Sequence, residues 1–176
     1  MLLKSKIRSI IKKLDGNLIG IGIKDKSILE EINRNDKIVL CDLLNSVSNE
    51  SFEVDKNRKK KKYVKNLVKR YKKIDIDYMI IDSSEIEKIL KTFIVDSIKI
   101  SDKKIYIYSD KKYIAKRIEK RYRRYTKNTD ITKYEDGYIL EIKTDNVKIG
   151  FIKRKLYYII DTFSNISDLI ADLLIS

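Results

Sequence analysis

Strand-like and helix-like stretches alternate along this chain, which predicts an α/β fold on a mostly parallel sheet with an antiparallel edge near the C-terminus. Three observations carry that expectation. Residues 17–23 and 37–42 are short apolar runs without alternation, as strands buried on both faces read; amphipathic stretches separate such runs; and two strand-like runs lie close together near residue 145. The 176 residues suit a single domain over 1–176, with an N-terminal helix over 1–15 and a helical segment over 155–176. Hydrophobic residues at 43% and charged residues at 38% supply both a core and a solvated surface, so the chain is expected to fold.

The elements follow in order. Leu3, Ile7, Ile10, Ile11 and Leu14 recur at helical spacing, with Lys and Arg between them. The run Asn17–Ile23 is a central strand, Ile28, Leu29 and Ile32 mark a helix over 25–35, and 37–42 is the second strand. Residues 44–55 are polar and loop-like, and Tyr63, Val64, Leu67, Val68 and Tyr71 define one face of a very basic helix. Residues 74–81 form a strand ending at Asp82, after which Ser84 and Glu87 have capping-box spacing for a helix reaching about Val95. Residues 104–108 are a strand, and Ser109 or Asp110 is placed to cap a second basic helix bearing Ile114, Ile118, Tyr122 and Tyr125 on one face. A strand over 138–143, a turn at 144–146 and a strand over 148–152 make the antiparallel pair. Right-handed crossovers between parallel strands put helices on both faces, giving a three-layer Rossmann-like sandwich. Ligands of such sheets bind beyond the carboxyl ends of the strands where strand order reverses, which gathers Gly20, Gly22, Asp42 and Asp82 at one crevice.

Composition excludes several chemistries. With no His and one Cys (Cys41), the chain builds no Cys/His zinc site, no His-based triad and no internal disulfide. That cysteine usage and the absence of a cleavable leader fit a cytoplasmic protein. Asp161, Asp168 and Asp172 interrupt the apolar stretch 156–175, so no membrane span is expected.

The formal charge of +14 is concentrated. Residues 56–73 hold eleven Lys or Arg and no acid, residues 111–127 hold nine against Glu119 alone, and the remainder of the chain therefore sums to −5. Such clustering points to an RNA or another polyanion as partner, through Lys59, Lys60, Lys61, Lys62, Lys69 and Arg70 in the first segment and Arg117, Arg121, Arg123 and Arg124 in the second. In the run Lys120–Tyr125, tyrosines alternate with guanidinium groups as stacking and phosphate-clamping groups would.

Over residues 17–152 the layout resembles a reduced class I methyltransferase, the superfamily that uses S-adenosylmethionine. The resemblance rests on Gly20-Ile21-Gly22 after the first strand, Asp42 ending the second, and Ile80-Ile81-Asp82 ending a later one. It implies that Gly20 and Gly22 let backbone approach the cofactor, that Asp42 accepts hydrogen bonds from ribose hydroxyls, and that Asp82 borders the reaction site as the candidate catalytic carboxylate. The chain has Leu18 and Lys24 where the family usually has an acid and a further glycine, and without proline it lacks the Asn/Asp-Pro-Pro-aromatic motif of amino-group methyltransferases. The alternative is a non-enzymatic nucleic-acid or polyanion binding module on the same scaffold. A third class, a metal-dependent nuclease, is suggested by Glu141 and Lys143 on one strand with Asp130 or Asp136 upstream.

Overall fold

The computed structural model describes residues 2–33, 38–41, 76–83, 94, 97–145 and 147. The elements are α1 (Leu3–Lys13), β1 (Leu18–Ile21), α2 (Lys26–Asn33), β2 (Ile38–Cys41), β3 (Ile76–Asp82), β4 (Ser101–Ser109), α3 (Lys112–Tyr122), β5 (Thr129–Tyr134) and β6 (Gly137–Lys143). The chain is α/β, with a mixed sheet of six strands in the order β2-β1-β3-β4-β6-β5. The first four neighbours run parallel, and β6 runs antiparallel to both β4 and β5.

Alternation along the strands divides the core between the two sheet faces. Ile19 and Ile21 of β1, Met79 and Ile81 of β3, and Ile105 and Ile107 of β4 point to one face, where Ile114, Ile118 and Tyr122 of α3 and helical residues Ile98 and Ile100 cover them. Leu18, Ile80, Tyr106 and Ile139 point the other way, against Leu3, Ile7 and Ile11 of α1 and Ile28 and Ile32 of α2. Burial of each such aliphatic side chain contributes roughly 2 kcal/mol, so this patterning is the main force that holds helices to sheet. On the second face, Glu31 of α2 is 6% exposed and meets Arg8 and Lys12 of α1 at 3.5 and 3.7 Å, ion-pair contacts between the two helices.

The turn from α1 into β1 depends on Gly16, whose φ of +143° suits glycine and where a Cβ would overlap the Asp77 carboxylate. Asp77 accepts a hydrogen bond from the Asn17 N–H at 3.0 Å and pairs with Lys103 at 2.9 Å, fastening the turn to β3 and β4.

Two local expectations are corrected. The antiparallel partner of residues 137–143 is β5, upstream, joined by the two-residue turn Glu135-Asp136; the expected pairing through 144–146 to 148–152 is displaced because β6 already has neighbours on both sides. Neither Ser109 nor Asp110 caps α3. Its N-cap position is Lys111, with no side-chain cap bond, while Ser109 Oγ accepts the Lys111 N–H at 3.2 Å and shapes the entry to the helix. The loop over 44–55, the first basic helix, the capping box at Ser84, the strand over 148–152 and the C-terminal helix lie outside the described residues. Among the described residues, no helix is long and apolar enough to cross a membrane.

Candidate functional site: a crevice at the carboxyl ends of the strands

From β1 the chain passes through α2 to β2 on one side, and β3 then lies on the other side of β1. Strand order therefore reverses between β1 and β3, the place beyond the carboxyl ends of a parallel sheet where ligands bind. A cavity of about 510 Å³ occupies that position. Lys24 and Asp25 reach it from the segment after β1, Asp82 and Ser83 from the end of β3, and Tyr108, Ser109 and Asp110 from the end of β4. Leu3 and Lys4 at the start of α1, Ile28 of α2 and Asp136 of the β5–β6 turn complete the wall.

Local chemistry fixes these groups. Asp25 caps α2: its Oδ1 accepts the N–H groups of Ser27 and Ile28 at 3.0 and 3.2 Å and the Ser27 hydroxyl at 2.6 Å. Its Oδ2 lies 2.6 Å from the Lys4 ammonium. The Lys4 contact foremost, then the Ser27 and Ile28 hydrogen bonds, hold the Asp25 carboxyl down at about 2, and Asp25 in turn raises Lys4. Asp136 Oδ1 accepts the Leu3 N–H at 2.5 Å, a carboxylate at the positive end of α1. Two carboxylates thus clamp the start of α1 over the crevice, one through backbone and one through Lys4.

Parallel register sets Asp82 beside Tyr108 on the adjacent strand. Burial, followed by the charge of Asp82 and a hydrogen bond to it, raises the Tyr108 phenol well above its ordinary range, so it stays protonated as a donor to that carboxylate. The wall carries four carboxylates, Asp25, Asp82, Asp110 and Asp136, against Lys4 and Lys24. In a chain of net charge +14 this is an acidic pocket inside a basic protein. Carboxylates in such a setting accept hydrogen bonds from hydroxyls and favour cationic centres, and they oppose phosphate.

Among the crevice residues expected from sequence, Asp82 lies in the wall. Gly20 is buried in mid-β1, in register with Leu40 and Ile80, and Gly22 follows the strand with a φ of +67°, which glycine tolerates; neither lines the cavity. Asp42, Lys59, Lys60, Lys61, Lys62, Lys69 and Arg70 lie outside the described residues. Lys24, Tyr108 and Asp136 were not expected at the site, nor were Asp25 and Asp110 expected to wall it. Lys24, Asp25, Tyr108 and Asp110 stand within four residues of a strand's carboxyl end, and Asp136 precedes the glycine of a tight turn, so strand ends were the signal that could have found them.

The second basic segment is only partly a surface. Arg121 is 4% exposed and Tyr122 is fully buried, because the helical repeat that buries Ile114 and Ile118 carries both to the same face, and Tyr125, in the turn that follows the helix, is 8% exposed. Arg121 is thereby removed from the contact set, and the two tyrosines from any stacking role. Tyr122 instead shares a hydrogen bond of 2.8 Å with Ser97 Oγ inside the core. Arg117 and Arg124 are half-buried. Arg123 is exposed, pairs with Glu119 at 2.8 Å and donates to Thr129 Oγ1 at 3.0 Å. The nuclease alternative fares poorly. Glu141 is in register with Asp130 but is paired with Lys104 at 2.7 Å, Asp136 is at the crevice, and no group of three Asp, Glu, Cys or His among the described residues could hold a metal ion.

No protein-family model matches the chain, and no curated protein matches it.

Proposed function

We propose that the chain is a reduced, methyltransferase-like protein of Rossmann-like three-layer arrangement that binds S-adenosylmethionine in the crevice and acts on an RNA or similar polyanion. One observation carries this reading: a cavity at the reversal of strand order, bordered by Asp82 at the end of β3 and by residues directly after β1. Its volume falls within the range of small-molecule sites. The donor set suits the group, because Asp82 and Asp110 offer acceptors to ribose hydroxyls, and the four carboxylates of the wall set negative charge against a sulfonium and an ammonium. The same charge disfavours a dinucleotide, whose phosphates would face carboxylates. When bound, the cofactor supplies an electrophilic methyl group. The chain's own part is to exclude water, align the acceptor and hold its departing proton at the Asp82 carboxylate, which the Tyr108 phenol orients.

Calorimetry with S-adenosylmethionine on the full chain tests this. Saturable binding that Asp82→Ala weakens is the expected result, and no heat at millimolar cofactor would retire the enzyme reading. A second reading, a binding module without cofactor, has one observation in its favour: Lys112, Lys116 and Lys120 of α3 are exposed and stand outside the crevice wall. Nucleic-acid affinity in the absence of any cofactor binding would select it.

A further inference from the structure

We infer that the outer stripe of α3 docks a single-stranded nucleic acid, with Tyr113 as the platform for one unpaired base and Lys116 and Lys120 as its phosphate contacts. This deepens the polyanion part of the proposed function and rests on it; it does not depend on the cofactor. Helical geometry puts Tyr113, Lys116 and Lys120 on the side opposite Ile114, Ile118 and Tyr122, and all three of the former are exposed. Tyr113 is 60% exposed, and with Leu2 it is one of two large hydrophobic side chains left in solvent among the described residues. An aromatic ring held in water on a rigid helix loses no core contact by stacking on a base, and the surrounding ammonium groups favour the phosphates that come with it.

The two lysines are four residues apart, about 6 Å along the helix axis, so they form a line rather than a point. The acid of this helix, Glu119, is engaged by Arg123 and leaves that line positive. The stripe also has a direction. Tyr113 lies in the first turn, three residues after Asp110 in the crevice wall, so the stripe begins beside the crevice, and Lys116 and Lys120 continue it along the helix away from those carboxylates. A base inside a duplex has both faces covered by its neighbours, and a stacking platform therefore selects unpaired strands.

Fluorescence anisotropy of a short labelled single-stranded RNA with the full chain, repeated across salt concentrations, tests the assignment. Tyr113→Ala should weaken binding roughly tenfold with little change in salt dependence. The double variant Lys116→Ala and Lys120→Ala should flatten the log affinity against log salt slope by about 1.4, the share of two phosphates on a single strand. All three positions are exposed, and circular dichroism checks that the variants fold. The assignment is overturned if Tyr113→Ala binds within twofold of the parent, if the slope does not change, or if a duplex of the same sequence binds as tightly. RNA affinity that ignores these variants would sink the stripe and leave the polyanion reading standing. No affinity at low salt would remove both, while the cofactor reading answers separately to calorimetry.

Discussion

Replacing Gly137 with alanine tests how the crevice is closed. A Cβ at this position would lie 2.6 Å from the Ser109 carbonyl oxygen and 2.7 Å from Leu3 Cδ2, where ordinary contact begins at 3.4 Å. The shortfalls are 0.8 and 0.7 Å. The Leu3 methyl can rotate aside, but the Ser109 carbonyl belongs to β4, whose register with Tyr138 is fixed by the sheet. Relief must come from the β5–β6 turn moving outward, and that motion pulls Asp136 from the Leu3 N–H. Overpacking of this kind costs about 2 kcal/mol and the lost helix-end contact about 1 kcal/mol more. A total near 3 kcal/mol lowers Tm by roughly 9 °C for a chain of this size. Thermal and urea unfolding followed by circular dichroism read the effect. Adding Leu3→Ala should restore nothing, since the carbonyl clash remains and the burial of the Leu3 side chain is lost as well. A Gly137→Ala variant within 0.5 kcal/mol of the parent, or a full rescue by Leu3→Ala, would refute the reasoning.

Asp25→Asn keeps an N-cap acceptor but removes the charge beside Lys4. Because the folded carboxyl sits at about 2 against an ordinary 3.8, its ionised form stabilises the fold above about pH 4 and that contribution fades as pH falls toward 2. With Lys4 65% exposed, solvent screening reduces the effect to about 1 kcal/mol, so the parent and variant urea midpoints should differ at pH 7 and converge near pH 2. A difference that persists unchanged in acid would count against the ion pair. Tyr122→Phe should cost about 1 kcal/mol in urea unfolding, since Ser97 Oγ keeps its 2.8 Å bond to the Ile94 carbonyl when the phenol is lost. A stabilised Tyr122→Phe variant would mean that this hydroxyl pair is a burden on the core.

Local signals were legible where one element's own chemistry decides the outcome. The spacing of Leu3, Ile7 and Ile11, the unbroken apolar run of β1 and the repeat of Ile28 and Ile32 each specify an element by its demand for burial, and these elements form as expected. Asp82 was legible for a related reason, being the polar residue that ends a buried strand. The strand over 129–134 was not, because only Ile131 and Tyr134 of its six residues are apolar, and its place depends on which neighbour β6 accepts. Arg121 is buried where its charge predicts exposure, because a helix face is buried as a unit whatever the charge of one member.

Sequence by itself determined the α/β class, the placement of charge and the carboxylate at the end of β3, since periodicity and composition act over a few residues at a time. Tertiary structure alone decided that Lys4 meets Asp25, that Asp136 holds Leu3, and that Tyr108 stands beside Asp82. These contacts join residues 21 to 133 positions apart, and no local preference encodes them. They arise because parallel strands end at one edge of the sheet, where every loop, cap and helix start must share the same small volume.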